Sequence, residues 1–202
     1  MEEKEFDVRE FVLNAIKNKK PAVLREIFET IPTIDIAEYI EDIDDISTLL
    51  YIFRVVPPEY TGDLFAEMTS EQQEIIVKQF SDKDLIKVLE NSFADDIVDT
   101  LEEFPANLIN RVLRVAPADL RKDVNLLLNY KDNTAGSLMT TEYFEVVDTL
   151  TAGEALAQIR KNGRDAETVY TVFIRDKKRT IVGTINLDDL IFAKEDELLS
   201  EI

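Results

Sequence analysis

Apolar residues along the first 130 positions recur at helical spacing. Val8, Phe11, Val12 and Ala15 stand at i, i+3, i+4 and i+7, one stripe of a helix. Further on, the pattern itself repeats. PPEYTGDLFAEMTSEQQEIIVKQF begins at Pro57, SDKDLIKVLENSFADDIVDTLEEF at Ser81 and PANLINRVLRVAPADLRKDVNLLL at Pro105, starts 24 residues apart, and an earlier start lies 25 residues before the first, at Pro32. Each unit holds two short apolar-periodic segments, as in Leu64, Phe65 and Met68 followed by Ile75, Ile76 and Phe80. Units this small cannot bury their apolar faces alone, so the pattern predicts a stacked, superhelical array of short helices, a surface suited to binding or spacing. An ordinary irregular bundle is the alternative, because amphipathic periodicity alone produces weak repeats.

Start signals support the phasing. Ser70, Ser81 and Ser92 each place a hydroxyl at an N-cap position with Gln73, Asp84 or Asp95 three residues on. Pro57, Pro105 and Pro117 open helices, since proline costs nothing at a first helical position. At residues 131–136 a polar, turn-like segment ending in Gly136 reads as a linker. Beyond it β-branched residues cluster. Residues 144–147 form a short strand, Thr151 and Glu154 a capping box opening a helix, residues 168–175 a strong strand, 176–179 a turn, 180–185 a second strand and 187–193 a final helix. The expected fold is mainly α with a small α+β part: helical repeats over 1–130, a linker at 131–136, and one β-α-β-β-α unit over 137–202.

Composition narrows the chemistry. Acidic residues outnumber basic ones 42 to 23, a formal net charge of −19. Such a chain repels phosphate backbones and anionic lipid, so nucleic acid is excluded as a partner, and cations and basic surfaces are favoured. Acidity also serves solubility alone. With neither Cys nor His in the chain, there is no thiolate and no imidazole; carboxylate and carbonyl oxygens remain, hard donors suited to Mg²⁺ or Ca²⁺. No Gly-rich phosphate loop and no nucleophile motif is present, which argues against an enzyme. No apolar run approaches a membrane span, and the acidic start Met1-Glu-Glu-Lys-Glu5 lacks the apolar core of a signal peptide. The segment reads as soluble and cytoplasmic.

The second part resembles a CBS (cystathionine β-synthase) motif. The residues that carry this are Ser137-Leu-Met-Thr140, Thr151-Ala-Gly-Glu-Ala-Leu156 and Ile181-Val-Gly-Thr-Ile-Asn-Leu-Asp-Asp-Leu190. Thr134–Tyr143 (TAGSLMTTEY) and Asp165–Tyr170 (DAETVY) are similar, more narrowly, to the first CBS motif of MgtE-type magnesium channels, and the preceding repeats, with their Pro-Pro-Glu and Phe-Ala-Asp-Asp phrases, to the MgtE N-terminal domain. The resemblance implies a homodimer whose N domains and paired CBS motifs hang on the cytoplasmic face of the membrane below a helical pore. It implies Mg²⁺ bound between N domain and CBS region, favouring the closed pore. It also implies a second CBS motif, for which this sequence carries no counterpart, and a membrane domain as partner.

By position in the family phrases, Asp95 and Asp99 look like N-domain Mg²⁺ ligands, the Gly136 carbonyl the facing ligand, and Asp63 a second acidic ligand. Asp95 and Asp99 are spaced i, i+4, where like charges repel by about 0.2–0.5 kcal/mol and a cation relieves them. Each of these acids can equally be a solvated surface carboxylate. CBS motifs also take adenosine nucleotides such as ATP; Asp189 matches the acid that bonds ribose, and Asn186 replaces the usual hydroxyl residue. Asn186 and Asp189 also fit a cap of the last helix. Three functions therefore stand side by side: a Mg²⁺ sensor, a nucleotide sensor, and a passive helical scaffold.

Overall fold

The computed structural model describes residues 7–131 and 133–202. The acidic stretch Met1–Glu5 and Asp132 of the expected linker lie outside the described residues. The chain divides into two compact units, one through Met139 and one from Thr140. Met139, at the end of the first, packs on the helical core.

The first unit is helical: α1 (Val8–Lys17), α2 (Pro21–Thr30), α3 (Thr33–Tyr39), α4 (Ile46–Val55), α5 (Thr61–Ala66), α6 (Ser70–Gln79), α7 (Asp82–Leu89), α8 (Ala94–Glu102), α9 (Ala106–Val115) and α10 (Ala118–Leu127). None exceeds ten residues, too short to persist alone, so packing rather than propensity holds them. The sequence repeats map onto helix pairs. The starts at Pro32, Pro57, Ser81 and Pro105 open α3–α4, α5–α6, α7–α8 and α9–α10. Helices touch their equivalents one repeat on, α3 on α5, α4 on α6, α5 on α7, α7 on α9 and α8 on α10, which is the contact pattern of a stacked array. One continuous core runs through it, from Val12 to Leu127.

Two buried amides tie helices together, Gln72 across successive repeats and Gln73 within one. Gln72 Nε2 donates to the Ile40 and Ile43 carbonyls (2.7 Å each), and Gln73 Nε2 to those of Phe65 (2.8 Å) and Ala66 (3.2 Å). They satisfy the orphan carbonyls where α3 and α5 end. Arg111 reaches back from α9 to the Val77 and Phe80 carbonyls and to Asp82.

Local signals were partly displaced. The α6 cap is Thr69 in a box with Gln72, one residue before the expected Ser70, because the Ser70 hydroxyl donates to Glu103 instead. Ser81 caps α7 as expected. Ser92 does not cap α8; its hydroxyl donates to the Val88 carbonyl (3.0 Å), and Phe93 takes the cap position with no side-chain bond. In α1, Val12 and Ala15 are buried but Phe11 stays 42% exposed, so the expected stripe is narrower than its spacing.

The second unit holds β1 (Tyr143–Val147), α11 (Ala152–Asn162), β2 (Thr168–Arg175), β3 (Ile181–Asn186) and α12 (Leu187–Phe192). The sheet order is β1-β2-β3, with β1 and β2 parallel across α11 and β2 and β3 an antiparallel hairpin. Thr151 and Glu154 form the expected capping box. In the hairpin turn, Asp176 Oδ1 accepts from the Lys178 and Thr180 amides (2.8 Å each), which holds Thr180 in the turn and moves the strand start to Ile181. Phe144, Val146, Val172, Ile174 and Ile185 close on Ala152, Ala155 and Leu190. Outside that core Tyr170, Val182, Ile191 and Phe192 remain exposed, Phe192 at 86%.

Candidate metal site

Helix α8 concentrates the carboxylates. Asp95 and Asp96 occupy its first turn, Asp99 the next, and Glu103 its C-cap. The helix forms because Ala94, Ile97, Val98 and Leu101 supply a buried stripe that docks it on α5 and α10. The opposite positions are left for acids.

A small cavity of about 210 Å³ opens beside it, walled by Asp96, Asp99 and Glu103 together with Ser70, Gln73 and Thr100. The Ser70 hydroxyl donates to the Glu103 carboxylate, and Thr100 Oγ donates to the Asp96 carbonyl (3.0 Å). Asp95, half-buried, is not on this wall, nor is Asp63. Sequence reasoning therefore picked out Asp99 but passed over Glu103 and gave Asp96 no role. The signal was present: 96, 99 and 103 stand at i, i+3 and i+7, one helix face.

Asp63 sits in the first turn of α5. Its side chain is exposed overall, yet partial burial pushes its carboxyl above the ordinary value. Gly136 lies in a 3₁₀ turn, Ala135–Ser137, entered through a Thr134–Ser137 capping box. A Cβ there would stand 2.2 Å from Cδ1 of Tyr130, so any side chain must displace that ring, a steric reason for glycine independent of any ligand. The turn's backbone bonds, Ser137 N–H to the Thr134 carbonyl and Leu138 N–H to the Ala135 carbonyl, do not use the Gly136 carbonyl.

Hard oxygen donors of this kind suit a Mg²⁺ ion, which keeps several waters and takes one or two carboxylates. Among the described residues no three acids converge closely enough to hold a metal ion on their own. The donor type fits; the number of converging protein donors is short of a closed cage.

In the second unit Asn186 and Asp189 border a cleft of about 450 Å³ whose other walls include Asp148, Gly183 and Thr184. Asn186 is the N-cap residue of α12 but makes no side-chain cap bond. Its amide instead makes a long contact of 3.4 Å to Asp189 Oδ2, which stands in the first turn of α12.

Fold and site together define a class: a helical-repeat array rich in carboxylates, joined in one chain to a β-α-β-β-α unit. The MgtE intracellular N domain model matches residues 31–133, half of the chain, and the chain belongs to that family. It is 28% identical over 192 residues to the magnesium transporter MgtE of Thermus thermophilus, covering 93% of this chain and 42% of that protein. To the magnesium transporter MgtE of Enterococcus faecalis it is 25% identical over 200 residues, covering 95% of this chain and 42% of the relative. The chain thus spans about two fifths of the length of the curated relatives it matches. The fold is that of the crystallised soluble part of a magnesium transporter (TM-score 0.85, 23% identity, 96% of this chain and 76% of that one). The crystallised cytosolic domain of the Mg²⁺ channel MgtE in complex with ATP is also similar (TM-score 0.78, 26% identity, 96% and 79%). These relatives are named transporters, not enzymes. No helix among the described residues is long and apolar enough to cross a membrane.

Proposed function

We propose that this chain is the Mg²⁺-sensing regulatory region of an MgtE-type magnesium transporter, and that Mg²⁺ on its helical-domain carboxylates favours the closed pore. The observation that carries this reading is the acid row of α8, where Asp95, Asp96, Asp99 and Glu103 follow one another on a single short helix. Like charges at that spacing repel, and a divalent cation removes the penalty. Asp95 and Asp99 serve as ligands, with Asp63 and the Gly136 carbonyl as further oxygen donors. Residues 1–130 are the N-terminal domain, 131–136 the linker and 137–202 a CBS motif. That motif pairs with a second one, and the exposed Tyr170, Val182, Ile191 and Phe192 supply apolar surface for the pairing. The region works as a homodimer on the cytoplasmic face of the membrane, with the pore domain as its partner.

The test is thermal melting in millimolar Mg²⁺ against NaCl of matched ionic strength. A ligand at a hundred times its Kd adds about 2.7 kcal/mol of stability. Mg²⁺ raises Tm of the native chain and leaves Asp95→Asn/Asp99→Asn unmoved. Equal melting of the native chain in both salts refutes the sensor and favours a passive scaffold.

A second reading, adenine-nucleotide binding, is favoured by the cleft at Asn186 and Asp189. A carboxylate there can accept from ribose hydroxyls. ATP binding that Asp189→Asn weakens supports it; binding unchanged in that variant rules out the cleft.

A further inference from the structure

A cavity in the helical unit has no place in the reading above. It encloses about 600 Å³ at the junction of α2, α4, the turn into α5, and α7. Its charge runs against that of the chain. Arg25, Arg54 and Lys87 border it against two acids, Asp84 and Glu90, so the rim carries a formal +1 within a chain of −19. None of the three cations has an ion-pair partner among the described residues, although the chain holds 42 carboxylates.

The interior is apolar. Phe53 and Phe80 line it, their rings in a T-shaped pair with centroids 5.5 Å apart. The walls are also fixed in advance. Consecutive prolines form the α4–α5 turn, and Gly62 of α5 packs so tightly on the α7–α8 loop that a Cβ would stand 1.7 Å from the Asn91 carbonyl. A pre-formed apolar hollow with a few charged groups at its mouth is the common form of a small-molecule site.

We infer that this cavity binds a small organic anion: an apolar, ring-containing body seated against Phe53, with its anionic group held by Arg25, Arg54 and Lys87. Guanidinium groups bond carboxylate, phosphate or sulfonate through paired N–H donors, and the apolar floor rejects a fully hydrated ion such as free phosphate. No residue of α8 lines this site, and it takes a ligand of the opposite charge. It does not depend on the sensor reading.

The experiment is an amide-resolved NMR titration of the whole chain with 1-naphthalenesulfonate, repeated with uncharged naphthalene. The anion shifts amides around Arg25, Arg54 and Lys87 in a saturable way. Uncharged naphthalene does so at least about tenfold more weakly, as the loss of one charge-assisted contact implies. Arg54→Gln/Lys87→Gln weakens the sulfonate by about tenfold or more while the spectrum stays dispersed. Glu90→Gln, which removes an opposing charge, tightens it, a change of sign that misfolding cannot produce. Shifts confined to the exposed apolar face around Tyr170 and Phe192, or equal responses to charged and uncharged rings, overturn the inference.

Discussion

Gly62→Ala sets two general effects against each other. Gly62 lies inside α5, and replacing a helical glycine by alanine ordinarily stabilises by about 0.8–1 kcal/mol. Here the new methyl would meet the Asn91 carbonyl oxygen at 1.7 Å, its carbon at 2.4 Å and Ser92 Cα at 2.8 Å. All three are backbone atoms, so no side chain can swing aside. An ordinary C···O contact of about 3.3 Å requires the loop to retreat by roughly 1.5 Å. That loop is held by Asn91 Nδ2 to the Lys87 carbonyl (2.9 Å), Ser92 Oγ to the Val88 carbonyl (3.0 Å) and two backbone bonds onto the end of α7. Overpacking costs about 1–3 kcal/mol and each strained hydrogen bond about 1 kcal/mol more. Sterics outweigh propensity, and the expected net loss is about 3 kcal/mol. In urea, with a slope of about 2 kcal/mol/M, the midpoint drops by about 1.5 M. Far-UV circular dichroism reads the helical unit directly. Gly183→Ala is the control: nothing lies within 4 Å of its new methyl, and its midpoint stays in place. A Gly62→Ala midpoint equal to or above native refutes the close-contact argument.

Three further outcomes follow from single residues. Asp45 caps α4, and hydrogen bonds from the Ser47 and Thr48 hydroxyls and the Thr48 amide lower its pKa to about 2. The folded pKa lies below the unfolded one, so its stabilisation is present above the ordinary carboxylate value and lost as pH falls through about 2; Asp45→Ala lowers Tm at neutral pH, and the gap closes in acid. Burial raises the pKa of Asp63, so its charge opposes folding at neutral pH; Asp63→Asn raises Tm there, with a gain that shrinks as pH falls through the raised folded pKa and is gone below the ordinary carboxylate value. Gly136→Ala displaces the Tyr130 ring, which is 43% exposed and can swing away, so the loss is about 1 kcal/mol, well under that of Gly62→Ala, with a changed tyrosine emission as the local readout.

Periodicity made the architecture legible because each repeat must stack to bury its stripe, and the starts at Pro32, Pro57, Ser81 and Pro105 fell on the helix pairs. Residues 168–175 formed β2 without a shift, since β-branched residues leave little choice. Caps were less legible. A hydroxyl such as that of Ser70 or Ser92 has several partners within reach, and tertiary neighbours, Glu103 and the Val88 carbonyl, took them. The acid wall was half legible. Asp99 was named with Asp95 by its place in the family phrase, but the face open to the cavity follows 96, 99 and 103, because the docking of α8 on α5 and α10 sets which side is free. The cationic cavity was not legible at all: Arg25, Arg54 and Lys87 come from three separate helices, α2, α4 and α7, and only packing brings them to one rim.

The acidity of the chain has a structural use that separates the α8 carboxylates from one another. Among the described residues, nine of the twelve α-helices carry an acid in the first turn, where the helix dipole favours negative charge by about 0.3–1 kcal/mol. Asp95 and Asp96 share that benefit. Asp99 does not, and Glu102 and Glu103 stand at the end where the dipole is unfavourable, with no basic residue in the last turn to offset them. The uncompensated charge of α8 therefore sits toward Asp99, the side that lines the cavity. In NaCl alone, Asp99→Asn raises Tm by relieving repulsion and Asp95→Asn lowers it by removing dipole-favoured charge. If Mg²⁺ compensates the acids, the order changes: native protein gains in Mg²⁺ and overtakes Asp99→Asn. Should Asp99→Asn melt below native in NaCl, the carboxylate is already satisfied within the chain, and no cation is needed to explain it.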